Sequence, residues 1–144
     1  MNDPVNAPTE VMKDLLVAAK AARENSHSPY SGIKVGAALR TVDGKIFGGC
    51  NVENSSYGAT VCAERTAIQS AVAAVGKLQI KEILVITDAT PPWPPCGLCR
   101  QVITEFGQNV TIHAANLQGE ILTSKMDDIF SNPFTPAKLN ATTK

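Results

Sequence analysis

Apolar positions recur along this chain with two different periods, and the switches between them divide it into elements. From Thr9 onward, Val11, Leu15, Ala18 and Ala22 repeat at helical spacing with Met12, Leu16 and Ala19 beside them, so one face of a helix is apolar. Thr9, directly after Pro8, is the expected cap of that helix. Two short apolar runs, 33–41 and 45–49, flank Val42-Asp43-Gly44, and Asp-Gly between such runs predicts a hairpin of two antiparallel strands. Helical spacing returns in Ala63, Ala67, Ala71 and Val75, with Ile68 and Val72, and stops at Gly76. Within 82–88, Ile83-Leu84-Val85-Ile86 is apolar at consecutive positions, the pattern of a strand covered on both faces. A proline-rich loop leads to Cys96; a short helix over 97–106, closed by Gly107, and strands at 110–115 and 120–123 follow. The order α-β-β-α-β-α-β-β predicts an α/β fold, a three-layer α-β-α sandwich around a mixed sheet of about five strands. With no repeat, low-complexity segment or internal linker, residues 1–144 are expected to form one domain with short flexible tails at about 1–8 and 137–144.

Composition narrows the class. At 144 residues, 44% apolar and 18% charged, the chain can bury a continuous core. Thirteen basic and thirteen acidic side chains cancel, which removes the long-range attraction to phosphates or anionic membrane and favours a small, neutral substrate over nucleic acid. No apolar stretch reaches the ~18 residues of a membrane span, and the first ten residues are polar, so neither membrane nor leader is expected and the location reads as cytoplasmic. In that setting a Cys-x-x-Cys with a third cysteine points to metal or redox chemistry rather than to disulfides.

The chemistry concentrates in two segments, Cys62-Ala63-Glu64-Arg65 and Pro95-Cys96-Gly97-Leu98-Cys99-Arg100-Gln101. Three thiolates leave one position of a tetrahedral zinc open, as a catalytic zinc requires. Glu64, two residues from the first thiol, is then placed to move protons at that open position. Cys62 opens one predicted helix, while Cys96 and Cys99 share a face at the start of another. Unpaired N–H groups and the positive dipole end at each helix start favour thiolate over thiol. Zinc with three thiolates is formally anionic and a weaker Lewis acid, so Arg65 and Arg100 are expected as donors to the sulfurs, with Gln101 a candidate for the same shell. The ordinary alternatives are a redox pair at Cys96 and Cys99, a closed structural zinc with Cys50 as fourth ligand, and a Glu64 that merely complements the helix dipole. Cys50 ends a predicted strand, where a small buried residue is the usual occupant. His27 and His113 read as surface or packing residues, and Trp93 as a loop-packing aromatic or a stacking platform. Taken together, the motifs predict a zinc hydrolase that activates water, with one zinc per chain.

The same residues carry a family resemblance. His or Cys, then x-Glu, and later Pro-Cys-x-x-Cys is the pattern of zinc nucleobase deaminases, in which the glutamate is acid and base and not a ligand. Ser28-Pro29-Tyr30-Ser31, Val35-Gly36-Ala37-Ala38-Leu39, Asn51-Val52-Glu53-Asn54, Tyr57 and the two cysteine motifs closely resemble the small tetrameric cytidine deaminases of pyrimidine salvage, over roughly residues 10–135. The resemblance implies hydrolytic deamination of cytidine and 2'-deoxycytidine to the uridine products and ammonia. It implies zinc on Cys62, Cys96 and Cys99, with Glu64 passing one proton from water to the ring N3 and then protonating the departing amine. It also implies that Asn51 and Glu53, with Val52 between them, bind the ribose, and that the Ala63 backbone helps hold the pyrimidine. Phe134, and Tyr57 near subunit contacts, point to a homotetramer with shared active sites. One departure stands out: Ile33 occupies a position where the family usually has Phe, and an aliphatic side chain packs against a base but cannot stack with its π face.

Overall fold

The computed structural model of the chain describes Pro4–Val5 and residues 10–141. The first long helix, α1 (Glu10–Arg23), carries Glu10 in its first turn and Lys20 and Arg23 in its last, charges that complement its dipole. Its Met12, Leu15 and Ala19 are buried against Ala38, Leu84, Ile86, Ala115 and Ile121 on one face of a sheet. Thr9, the expected cap, lies outside the described residues, as does the side chain of Val11.

The opposite face is covered by α2 (Ala63–Val75) and α3 (Gly97–Glu105). Ala63, Ala67, Ile68 and Ala71 from α2, with Cys99 and Ile103 from α3, close a second core over Ala37, Leu39, Ile83 and Ile112. The expected stop at Gly76 is present: its φ of 73° is a conformation that side chains disfavour, and its N–H caps the helix on Val72 O. Helix, sheet and helix pair thus make the three layers.

The sheet consists of β2 (Gly36–Thr41), β3 (Ile46–Cys50), β4 (Ile80–Thr87), β5 (Thr111–Asn116) and β6 (Ile121–Lys125), with the two-residue β1 (Pro4–Val5) on its edge, in the order β1-β6-β5-β4-β2-β3. Only β4 and β5 run parallel; the other neighbours are antiparallel. Central β4 is buried at every residue except Lys81, which accounts for its unbroken apolar run.

The expected strand 33–41 begins only at Gly36. The Asn51 side chain accepts the Val35 N–H at 3.0 Å and donates to Ile33 O at 2.8 Å, taking the places that ladder partners would occupy. Three short elements carry no periodic signal: a 3-10 turn at Tyr57–Ala59, α4 (Met126–Ile129) and α5 (Pro136–Ala141). α2 lies so close to β3 that a Cβ on Gly49 would stand 2.3 Å from the Ala67 backbone nitrogen. Thr66 Oγ1 adds a 2.6 Å bond to Cys50 O, which fixes the start of α2 against the end of β3.

Candidate active site and metal centre

β2 runs antiparallel to both β3 and β4, so β3 and β4 point the same way and their carboxyl ends share one edge of the sheet. Each end feeds a loop that enters a helix carrying cysteine. Cys62 is the N-cap of α2 and Cys96 that of α3, with Cys99 in the first turn of α3. The three Sγ atoms lie within 4.8 Å of one another, and those of Cys62 and Cys96 are 3.7 Å apart. Zinc–sulfur bonds of about 2.3 Å in a tetrahedron put sulfurs about 3.8 Å apart, so the spacing fits a shared zinc. Among the described residues no other group of three such ligands occurs. Cys50 stays outside it, with its thiol pushed up by burial. His113 is a packing residue, bonded to Glu82 at 2.9 Å and Thr123 at 2.8 Å.

The charges around the sulfurs suit a cation. Cys62 is pulled down to about 5, chiefly by its hydrogen bond with Cys99 and then by that with Arg65, whose Nη2 donates to Cys62 Sγ at 3.4 Å. The same bond to Cys62 pushes the Cys99 thiol up, with burial and the Glu64 charge adding to it. On their own the sulfurs therefore resist full deprotonation, and a divalent ion is what would displace the remaining protons. Arg65 Nε is buried without a partner, unlike the other buried side-chain nitrogens and oxygens of the described residues. A guanidinium with an unmet donor beside the cluster has capacity left to donate to sulfurs that are all deprotonated, as metal ligands are.

Glu64 follows Cys62 by two residues and is only 4% exposed. Burial raises its carboxyl above the usual range, with Cys99 pulling the other way. That shift brings a carboxyl nearer to the condition for both taking and giving a proton at neutral pH.

A cavity of about 210 Å³ opens over these groups, walled by Asn51, Cys62, Ala63, Glu64, Trp93 and Cys96 among others. An apolar cavity of about 150 Å³ already holds a benzene ring, so this one admits a single pyrimidine. Asn51 is buried at its rim and keeps one amide N–H beyond its bond to Ile33 O. Ile33, Val52, Glu53, Tyr57 and Phe134 are not part of the wall. The Glu53 carboxylate accepts the N–H groups of Tyr30 at 2.9 Å and Ser31 at 3.1 Å, and the Ser31 hydroxyl holds its pKa below the usual carboxylate value. Tyr57 meets Tyr30 edge to face at 5.6 Å.

Two expected sulfur partners are placed elsewhere. Arg100 donates through Nε to Pro95 O at 2.8 Å and through Nη1 to Ile129 O, bracing the loop before Cys96 instead of a sulfur. Gln101 Nε2 donates to Phe134 O at 2.9 Å, so it anchors the C-terminal segment. Conversely, Val35 and Thr60 line the cavity without a role in the sequence-based site, and no local signal marks them; Trp93, weighed from the sequence as a loop-packing aromatic or a stacking platform, borders it too.

Residues 9–114 match the cytidine and deoxycytidylate deaminase zinc-binding region, which makes this a zinc-dependent hydrolytic deaminase. The chain is 41% identical over 130 residues to the cytidine deaminase of Sporosarcina psychrophila, covering 90% of this chain and 95% of that protein. A cytidine deaminase of Halalkalibacterium halodurans is 41% identical over 127 residues, 88% of this chain and 96% of its own. The crystal structure of cytidine deaminase from Burkholderia pseudomallei superposes with a TM-score of 0.79 at 46% identity, over 88% of this chain and all of that one. The chain belongs to the cytidine deaminase family. No helix among the described residues is long and apolar enough to cross a membrane.

Proposed function

We propose that this chain hydrolyses cytidine and 2'-deoxycytidine to uridine and 2'-deoxyuridine with release of ammonia, and that Glu64 carries every proton the reaction moves. The observation that carries this reading is the buried Glu64 beside three clustered sulfurs, at one wall of a cavity sized for one pyrimidine. Cys62, Cys96 and Cys99 would hold one zinc per chain, which would supply Lewis acidity that lowers the pKa of water toward about 7. Glu64 takes a proton from the attacking water and gives it to N3 of the ring, which makes C4 electrophilic. The same carboxylate then takes the remaining proton of the hydroxyl now on C4 and delivers it to the amine, as the C4–N bond breaks and the C4=O bond forms. Water and cytidine are consumed; uridine and ammonia leave.

Binding falls to the residues around that centre. Ala63 leaves room for the ring because it has no side chain beyond Cβ, and it borders the cavity that would take the pyrimidine. The free N–H of Asn51 and the carboxylate of Glu53 take the ribose hydroxyls, with Val52 between them; Ile33 packs at the outer edge. Phe134 is 57% exposed and Tyr57 75% exposed, and both serve neighbouring subunits of a homotetramer in which active sites are shared. The role is pyrimidine salvage in the cytoplasm. The purified protein should convert cytidine and 2'-deoxycytidine to their uridine products and scatter light as a tetramer. An inactive zinc-loaded protein refutes the reading, and full activity from a monomer refutes the sharing of sites.

Arg65 supports the centre through its bond to Cys62 Sγ. Arg65→Gln removes that donor and its charge, so the thiolate is less stabilised and the site more negative. Zinc should be lost to a competing chelator at an affinity about 10-fold lower or more, and the activity profile should move to higher pH. Unchanged retention and an unchanged profile would make Arg65 a packing residue.

A further inference from the structure

We propose that Trp93 is the aromatic wall of the base site, a substrate-contacting residue that positions the pyrimidine where Ile33 cannot. Trp93 borders the same 210 Å³ cavity as Glu64, Cys62 and Cys96. The remaining walls are aliphatic or polar, so Trp93 is the single aromatic side chain this subunit presents there. The other candidates are committed elsewhere: Tyr30 and Tyr57 pair with each other, and Phe134 lies outside the wall.

Packing against its own loop leaves much of the indole uncovered. Trp93 keeps 46% of its surface exposed although it borders a cavity. Its loop is held at both ends. Asn116 Nδ2 donates to Ala89 O at 3.1 Å and to Thr90 Oγ1 at 3.2 Å, while Arg100 Nε grips Pro95 O at 2.8 Å. Pro91, Pro92, Pro94 and Pro95 fix φ on either side of the indole. The ring is therefore presented by a backbone already ordered, so little conformational freedom remains to be lost when a base docks. A flat indole offers a π face to a flat pyrimidine, which Ile33 lacks. This assignment of Arg100 also gives it a function: it positions Trp93 and Cys96 together from one loop.

The inference rests on the reading of the cavity as the base site, and one native property tests both separately. Trp93 is the only tryptophan in the chain, so intrinsic fluorescence reports on this position alone. Titrating the zinc-loaded wild-type protein with uridine should change the emission saturably, at the concentration where uridine inhibits cytidine turnover. Uridine that inhibits without moving the emission overturns the role of Trp93. Absence of both cytidine turnover and uridine inhibition overturns the base site itself and the inference with it. In variants that retain zinc, Trp93→Leu and Trp93→Ala should raise KM on the order of 10-fold, with the loss in KM rather than in kcat, and Trp93→Phe should restore most of it. A leucine that serves as well as phenylalanine would reduce Trp93 to volume filling and overturn the proposal.

Discussion

Glu64→Gln should lower turnover at least ~100-fold, the usual loss when a general acid and base is removed, while the protein keeps its zinc. The amide matches the carboxylate in shape, so the cavity and the start of α2 should be undisturbed. It cannot accept a proton, which is the one property the mechanism demands of it twice. Glu64 is buried, and burial holds its carboxyl above the usual range. Zinc content measured beside turnover separates the two causes of inactivity: a Gln variant that loses metal would make Glu64 a structural support, and one that turns over cytidine normally would remove it from the chemistry. Glu64→Asp gives the finer reading, since it keeps the carboxylate but draws it back by one methylene. Its rate should fall between the two.

The parts of this molecule that were legible in its sequence are those whose signal is local. α1 and α2 repeat their apolar face over several turns, and β4 shows its burial in consecutive residues because helices cover both sides. The metal centre is legible for a related reason: each ligand-bearing segment fits within one helical turn, so its spacing is already its geometry. Arg65 follows Cys62 by three residues on the same helix face, and it reaches Cys62 Sγ. Gln101 follows Cys99 by two, which puts it on another face. Arg100 is claimed by Ile129 O, an acceptor 29 residues away that no local pattern announces. The same holds where Asn51 replaces the ladder at 33–35, since its side chain acts across 16 residues on Val35 and 18 on Ile33. β1, α4 and α5 are too short for any period to appear. The cavity wall was the least legible part, because the loop that carries Trp93 is held at Ala89 and Pro95 by the side chains of Asn116 and Arg100 from other elements.

Replacing Cys62, Cys96 or Cys99 with Ala should each abolish activity by the loss of zinc, whereas Cys50→Ala should keep both metal and turnover. The distinction follows from position: three sulfurs lie within 4.8 Å of one another, and Cys50 is not among them. Two thiolates with water cannot hold the ion as three do, so the affinity should fall by more than the 10–100-fold that losing a supporting contact costs. The wild-type protein should contain about one zinc per chain, because three protein ligands plus water complete the tetrahedral shell of a catalytic site. Metal analysis of the four purified variants, with circular dichroism to show that each is folded, makes the comparison. A metal-free Cys50 variant would mean a closed four-cysteine site with no position for water. Activity that survives in a folded, zinc-free Cys96→Ala protein would exclude the metal from the reaction altogether. Chelation of the wild type adds an independent arm: turnover should disappear with the zinc and return when zinc is restored, in the presence of a reductant that keeps Cys96 and Cys99 from pairing. A disulfide-exchange enzyme would behave in the opposite way, indifferent to the chelator and sensitive to the reductant, since its chemistry would need those two sulfurs free of metal.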